Sequence, residues 1–387
     1  MSGQFMASMA SDGTYESIAG AGAEPPVVNS YDHWSSLEEV IVGEPSFLAY
    51  DDDVSFRLFF CADLDSPVSP GVREPWTVPT GTLAERQLAK EMAEDLAAFV
   101  DLLQEHDVRV RTPETRPDPR RVETPDWWTI DGHSVMPRDL LLVVGDEIIE
   151  TAPLVRCRYL EADLYKDLLI EYFARGAKWT VAPHSRLRPE NFDYTYALAN
   201  GYTGPVPANP RYEIMFDGAQ TVRIGRDVLF NCSTENHRLG MRWLARHLGD
   251  NYRVHEINVV DNHVDTRVVP LRPGTLLLHH DVRLSQLPAF LHDWDIIRYS
   301  PPPDRLGRDL YGDRPVLSAP SLGMNVLSLD EERVVVQEDE TALMKDLAKA
   351  GFNPLPCRWR HGRIVGGGFH CMTLDVRRRS VLEDYTS

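Results

Sequence analysis

Five stretches of the chain repeat one arrangement of polar and apolar positions. Each has a polar or acidic lead, a β-branched run, a short turn containing Gly or Asp, and a second apolar run. They are SSLEEVIVGEPSFLAY from Ser35, MPRDLLLVVGDEIIETA from Met136, MFDGAQTVRIGRDVLFN from Met215, NHVDTRVVPLRPGTLLLH from Asn262 and GMNVLSLDEERVVVQE from Gly323. Short strands parted by turn residues predict a hairpin in each. Between them, apolar residues at three- and four-residue spacing predict helices in LAERQLAKEMAEDLAAFVDLLQEHD (from Leu83), EADLYKDLLIEYFARG, LGMRWLARHLGD and TALMKDLAKAGF. The result is an α/β chain in which a β-β-α-β unit recurs five times. An irregular α/β domain whose hairpins coincide by chance is the alternative that the pattern leaves open. Segments 44–82 and 184–212 break the rhythm and are expected to be long loops, of the kind that border enzyme sites. The Pro-rich stretch 300–315 has strand-like segments on both sides, so residues 28–387 are expected to form a single domain. The Gly-, Ala- and Ser-rich residues 1–27 are expected to be a disordered tail.

Composition narrows the function classes. A chain of 387 residues with 43% hydrophobic content can bury a large core. Its formal charge of -19 argues against nucleic acid, which needs clustered Lys and Arg. The same charge suits a cationic small molecule, or solubility alone. Five cysteines (Cys61, Cys157, Cys232, Cys357, Cys371) are scattered rather than patterned, which predicts a reducing, cytoplasmic setting without disulfides. No CxxC pair or HExxH motif supports zinc, no Lys or Arg precedes Arg57, and no apolar run approaches the roughly 18 residues of a membrane span.

Near the end of the chain stands GGGFHCMTLDVRRR, residues 366 to 379. The thiolate of a cysteine such as Cys371 is a strong nucleophile, and Gly366, Gly367 and Gly368 would let a planar substrate approach it. A buried structural cysteine beside a turn is the competing reading, and the local sequence leaves the two level. The arginines that follow, Arg377 to Arg379, read as strand-end surface or interface charges. In DNHVDTR, strand alternation would place His263 and Asp265 on one face, a proton shuttle beside a carboxylate. Asp139, Asp217 and Asp265 each occupy the lead of one hairpin. Arranged about a common axis they would meet, and three carboxylates together call for a cation; a guanidinium, planar and rich in donors, fits.

The loop around Cys371, together with ETPDWW, MPRDLLLVVGDEIIETA, YKDLLIEYFARGAKW, FDGAQTVRIGRDVLF, HVDTRVVPLRPG and GMNVLSLDEERVVV in the same order, resembles the arginine-dependent amidinotransferases. That family includes the glycine and the aminocyclitol-phosphate (inosamine-phosphate) amidinotransferases. The similarity runs from about Asn29 to Tyr385. It implies the pentein fold, a five-module ββαβ propeller with pseudo-fivefold symmetry. It implies Cys371 as nucleophile, His263 as general acid/base, Asp217 as the partner of the histidine, and Asp139 and Asp265 as holders of the donor guanidinium. The implied reaction is ping-pong: arginine leaves its amidino group on Cys371 as a thiouronium, ornithine departs, and an acceptor amine collects the group.

No metal or organic cofactor is required by this chemistry. The partners implied are small molecules, with neither nucleic acid nor membrane, and a homodimer is admissible because dimers occur in the family. Asn262 stands where the glycine enzyme has methionine, and Gly323, before Met324, where it has serine, which implies a roomier acceptor pocket and a specialised, antibiotic-like product. Arg283 aligns with the arginine that binds the donor carboxylate once one residue is inserted in LLHHDVR; a solvated loop charge is the alternative. Two other readings remain: a guanidino-group hydrolase related to arginine deiminase, and a catalytically inactive pentein that serves as a binding module.

Overall fold

The computed structural model describes residues 26–44, 48–50, 54–60, 76–78, 83–115, 120–131, 135–199, 202–260, 262–301 and 320–386. The tail expected over residues 1–27 falls almost wholly outside them, as does Cys61. Five three-stranded sheets carry the architecture, and each joins one antiparallel pair to one parallel pair. In the second module Leu141–Val144 runs antiparallel to Glu147–Glu150, which lies parallel to Lys178–Val181. The third (Thr221–Ile224, Asp227–Asn231, Arg253–Ile257), fourth (Val268–Arg272, Thr275–His279, Asp295–Tyr299) and fifth (Leu327–Ser328, Arg333–Gln337, Asn353–Cys357) repeat that order.

The first module departs from the hairpin expected at Ser35. Leu37–Val42 pairs antiparallel with the C-terminal strand Thr373–Arg378, with Ile41 opposite Leu374, and lies parallel to Arg109–Arg111. Residues Leu48–Tyr50 pair instead with Trp76–Val78, inside the segment expected to be loop. Strands near the two ends of the chain therefore share one sheet, which closes the propeller.

The first two strands of the complete modules are buried on both faces, as at Leu141–Val144 and Asp227–Asn231. Their sequences accordingly run continuously apolar instead of alternating. The third strands are partly exposed, and the helices cover them: Leu83–Glu105, Lys166–Ala174, Glu235–Leu248 and Thr341–Lys349 pack on the third strands of modules one, two, three and five. Leu88, Met92, Phe99 and Leu103 form the buried stripe of the longest helix. Module four has no α-helix in this place, only the 3-10 turns Leu284–Gln286 and Ala289–Leu291. Its sequence shows no helical periodicity there either. Segment 184–212 holds a 3-10 turn at Pro189–Asn191 and a short helix at Thr195–Ala199.

A buried charge cluster ties the closing strand to its neighbours. Asp375 accepts from Arg138 (2.7 Å), Arg223 (2.6 Å) and Arg378 (2.7 Å), and from the hydroxyl of Ser30. Backbone carbonyls of Val143, Ser35, Ser328 and His370 take further guanidinium donors. Arg378 is thus a core residue, not the surface charge expected; Arg377 and Arg379 do pair at the surface, both with Glu38. Losing the one carboxylate would leave three buried guanidiniums short of a counter-charge, a change that costs about 3–5 kcal/mol where one partner of a buried pair is removed.

Candidate active site

Each module places a tight turn immediately before its first strand, and these turns converge. The second supplies Asp139 from the helical turn Pro137–Leu140, and the third supplies Asp217 at the head of Gly218–Gln220. From the fourth come His263 and Asp265, at Val264–Thr266; the fifth contributes Asn325, just after Pro320–Met324. Cys371 precedes Thr373–Arg378, the strand that completes module one, so it occupies the equivalent position there. Backbone turns at the ends of rigid strands hold these side chains better than long loops would.

His263 lies between two carboxylates: Nε2 is 2.9 Å from Asp217 Oδ2, and Nδ1 is 3.7 Å from Asp139 Oδ1. Burial opposes its charging, but the carboxylates of Asp139 and Asp217 outweigh burial and raise its pKa to about 10. The ring is an imidazolium at neutral pH. Cys371 is 2% exposed. Its thiol donates to Asp265 Oδ2 at 3.1 Å and receives the amide of Asn325 at 3.1 Å. Burial, followed by the charges of Asp265 and Asp139, pushes that thiol well above its ordinary value, so it rests protonated. Burial also resists the charge on Asp265, yet hydrogen bonding and attraction from His370, with His263 and the thiol, bring it down to about 2.

Two oxygens in this cluster lack hydrogen-bond partners although they are buried: Asp139 Oδ1 and Asp265 Oδ1. The second oxygen of each is engaged, Asp139 Oδ2 by Arg158 Nη1 at 2.6 Å and Asp265 Oδ2 by His370 Nδ1 at 2.7 Å. An unsatisfied buried carboxylate oxygen is costly, and two flanking one nucleophile suit a planar cation that donates to both. Asp139, His263 and Cys371 also offer ligand atoms within 4.8 Å of one another. A metal there would have to displace the protons of the imidazolium and the thiol.

Four contributors were not singled out from the sequence pattern. Arg158, buried and paired with Asp139 and Glu161, orients the aspartate. Asn325 stands at the lead position of the fifth hairpin, where the acidic residues of other hairpins could have pointed to it. His370 and His33 lie behind Asp265.

The three glycines prove to be needed by the protein's own packing. Gly366 has φ +83° where it ends Gly362–Val365. A Cβ on Gly367 would meet Met136 Sδ at 2.4 Å, and one on Gly368 would meet Asn325 Cβ at 2.9 Å. The clearance expected for substrate is therefore filled by Met136 and Asn325.

The remaining expected residues divide. The Asn262 amide donates to the carbonyl of Phe59 at 2.6 Å, fixing the helix Val54–Phe60, and the Phe59 ring meets His263 edge-on at 5.4 Å. A Cβ on Gly323 would fall 2.2 Å from Glu340 Oε1, and the Met324 side chain lies within an apolar cluster with Val269, Tyr299 and Val334. Arg283 is exposed at the head of Leu284–Gln286, and its backbone N–H donates to Gln286 Oε1.

Comparison with known proteins assigns the chain to a family. The chain is 37% identical over 364 residues to inosamine-phosphate amidinotransferase 1 of Streptomyces glaucescens, covering 93% of this chain and 99% of the relative. It belongs to the amidinotransferase family. It is also 34% identical over 362 residues to the L-arginine:L-lysine amidinotransferase of Pseudomonas savastanoi pv. phaseolicola, covering 92% and 96%. The solved inosamine-phosphate amidinotransferase of Streptomyces griseus superposes on this amidinotransferase with a TM-score of 0.79 at 36% identity, covering 94% and 100%. Dimethylarginine dimethylaminohydrolase of Pseudomonas aeruginosa, at 16% identity and a TM-score of 0.52, covering 88% of this chain and 99% of its own, shares the fold. That fold is the pentein propeller. No protein-family model matches the chain. The protein is a transferase of amidino groups; among its described residues no helix is long and apolar enough to cross a membrane. Among the described residues Cys232, Cys357 and Cys371 are free thiols, buried as Cys157 is.

Proposed function

We propose that this amidinotransferase takes the amidino group of L-arginine onto Cys371 as a thiouronium, releases L-ornithine, and passes the group to an acceptor amine in the making of a specialised guanidino metabolite. The observation that carries the reading is the pair of buried oxygens without a hydrogen bond, Asp139 Oδ1 and Asp265 Oδ1, beside a cysteine and a charged histidine. The guanidinium of arginine satisfies both oxygens and brings a positive charge to a thiol that burial, with two carboxylates, otherwise keeps protonated.

In the first half-reaction Sγ bonds to the guanidino carbon and the bond to the side-chain nitrogen of ornithine breaks. His263 gives that nitrogen a proton and is recharged by the one the thiol loses. One cation becomes another, so the same two carboxylates serve before and after. In the second half-reaction the acceptor amine attacks the thiouronium carbon, His263 gives its proton to the departing Sγ, and the ring so discharged takes up the surplus proton of the amine. Asp217 holds the ring of His263 throughout. Asn262, with Phe59 behind it, and the Gly323 turn are the residues we assign to the acceptor side, while Arg283 is assigned to the donor carboxylate.

The test is ornithine release from arginine across a panel of amino sugars, diamines and amino acids. Acceptor-dependent ornithine with a matching new guanidino compound supports the reading. Sustained citrulline formation without any acceptor would instead identify a hydrolase.

A further inference from the structure

A chain of hydrogen bonds runs from the backbone of module three to the cluster under Cys371. The backbone N–H of Arg223 donates to His33 Nε2 at 3.1 Å. His33 Nδ1 lies 3.1 Å from His370 Nε2, and His370 Nδ1 lies 2.7 Å from Asp265 Oδ2. Both imidazoles are buried, with ring centres 5.1 Å apart. A backbone N–H can only donate, so His33 Nε2 must accept, and a neutral ring then carries its proton on Nδ1. That proton faces His370 Nε2, which must accept in turn. The proton of His370 is thereby forced onto Nδ1, against Asp265.

Asp265 and Asp375 favour a charge on His370, and Asp375 on His33, but burial and the neighbouring arginines outweigh them. Burial, then Arg223, holds His33 well below its ordinary pKa; burial, then Arg138, brings His370 down to about 4. Asp375, which faces the same pair, is already shared among Arg138, Arg223 and Arg378.

We infer that His33 and His370 are positioning residues for amidino transfer: they deliver one directed N–H to Asp265 Oδ2 and so hold Oδ1 toward the donor guanidinium. The inference rests on the reading of Asp265 as a donor-binding carboxylate. Unless Oδ2 is pinned, a carboxylate with an unpartnered oxygen is free to turn. Among the described residues His33 bonds the N–H of Arg223 and the ring of His370, so it reaches Asp265 through His370.

The direct test is the tautomer of each ring, read by two-bond nitrogen–proton correlation on protein labelled with 15N-histidine and assigned with His33→Phe and His370→Asn. Both rings are expected as neutral Nδ1–H tautomers between about pH 6 and 9, the opposite of the form free imidazole side chains prefer. An Nε2–H tautomer in either ring, or charging within that range, overturns the inference. Kinetics add a second reading. In His33→Phe the arginine KM is expected to rise roughly tenfold, about the effect of one buried hydrogen bond. His33→Asn, whose amide can stand in for Nδ1–H, is expected to restore most of it. An arginine KM equal to wild type in folded His33→Phe would overturn the inference. If that variant does not fold, the wild-type tautomers still decide. The two failures are separable. Wrong tautomers remove the chain while the role of Asp265 stands; unchanged arginine use by Asp265→Asn removes that role and the purpose of the chain with it.

Discussion

Asn325 grips Cys371 at both ends: its Oδ1 accepts the backbone N–H of Cys371 at 2.9 Å, and its Nδ2 donates to Sγ at 3.1 Å. Oδ1 also receives the N–H of Gly368, so one side chain fixes the turn that carries the nucleophile. The amide opposes the rise that burial imposes on the thiol, and it stabilises the sulfur as it gains charge. Asn325→Ala is expected to slow single-turnover ornithine release by tenfold or more, the equivalent of about 1.5 kcal/mol, with little change in arginine KM. An unaltered rate would show that the grip plays no part in the chemistry.

The two carboxylates that each hold one buried oxygen without a hydrogen bond should carry donor affinity. For Asp139→Asn and for Asp265→Asn, kcat/KM for arginine is expected to fall by about 2 kcal/mol or more, roughly thirtyfold, as a charge-assisted hydrogen bond is lost. Steady-state kinetics at saturating acceptor measure this. Wild-type values in both variants would mean that the guanidinium sits elsewhere.

Arg158 offers a third handle, because it holds Asp139 through Oδ2 and Glu161 at once. Arg158→Leu strands two buried carboxylates, so unfolding free energy is expected to drop by about 3–5 kcal/mol. Arg158→Lys keeps the charge but not the forked geometry, and it should recover stability better than arginine KM. Urea unfolding beside donor kinetics separates the two effects.

His263 gives a pH dependence with a defined sign. Its folded pKa, about 10, stands above the ordinary 6.5, so the charged ring favours the folded state. That contribution is whole below about pH 6.5 and drains away as pH rises through 10. The stability gap between wild type and His263→Gln in urea should therefore narrow steadily from pH 6.5 to pH 10. A gap that widened over that range would contradict the charge assigned to the ring.

Much of this was visible in the sequence, for physical reasons that stop at identifiable places. Hairpins two to five follow from local runs and turns, and the structure has them. The first follows from the same local grammar, yet Leu37–Val42 finds its partner in Thr373–Arg378, and no local pattern encodes a pairing between chain ends. The shared position of Asp139, Asp217 and Asp265 before their strands was legible because acidic leads recur. Asn325 occupies the same position but carries no charge to mark it. Arg378 read as a surface charge because its counter-ion, Asp375, serves three arginines that only the closed propeller brings together. The Gly367 and Gly368 contacts were hidden likewise, since Met136 and Asn325 reach them from other modules.

The most direct test of the central claim is the mass of the Cys371 peptide after quenching the enzyme with arginine in the absence of acceptor. The account predicts a gain of one CH2N2 unit on Cys371, formed with one equivalent of ornithine, discharged by an acceptor amine and absent from Cys371→Ala. Ornithine release by Cys371→Ala, or an unmodified Cys371 in an enzyme that turns over, would contradict it.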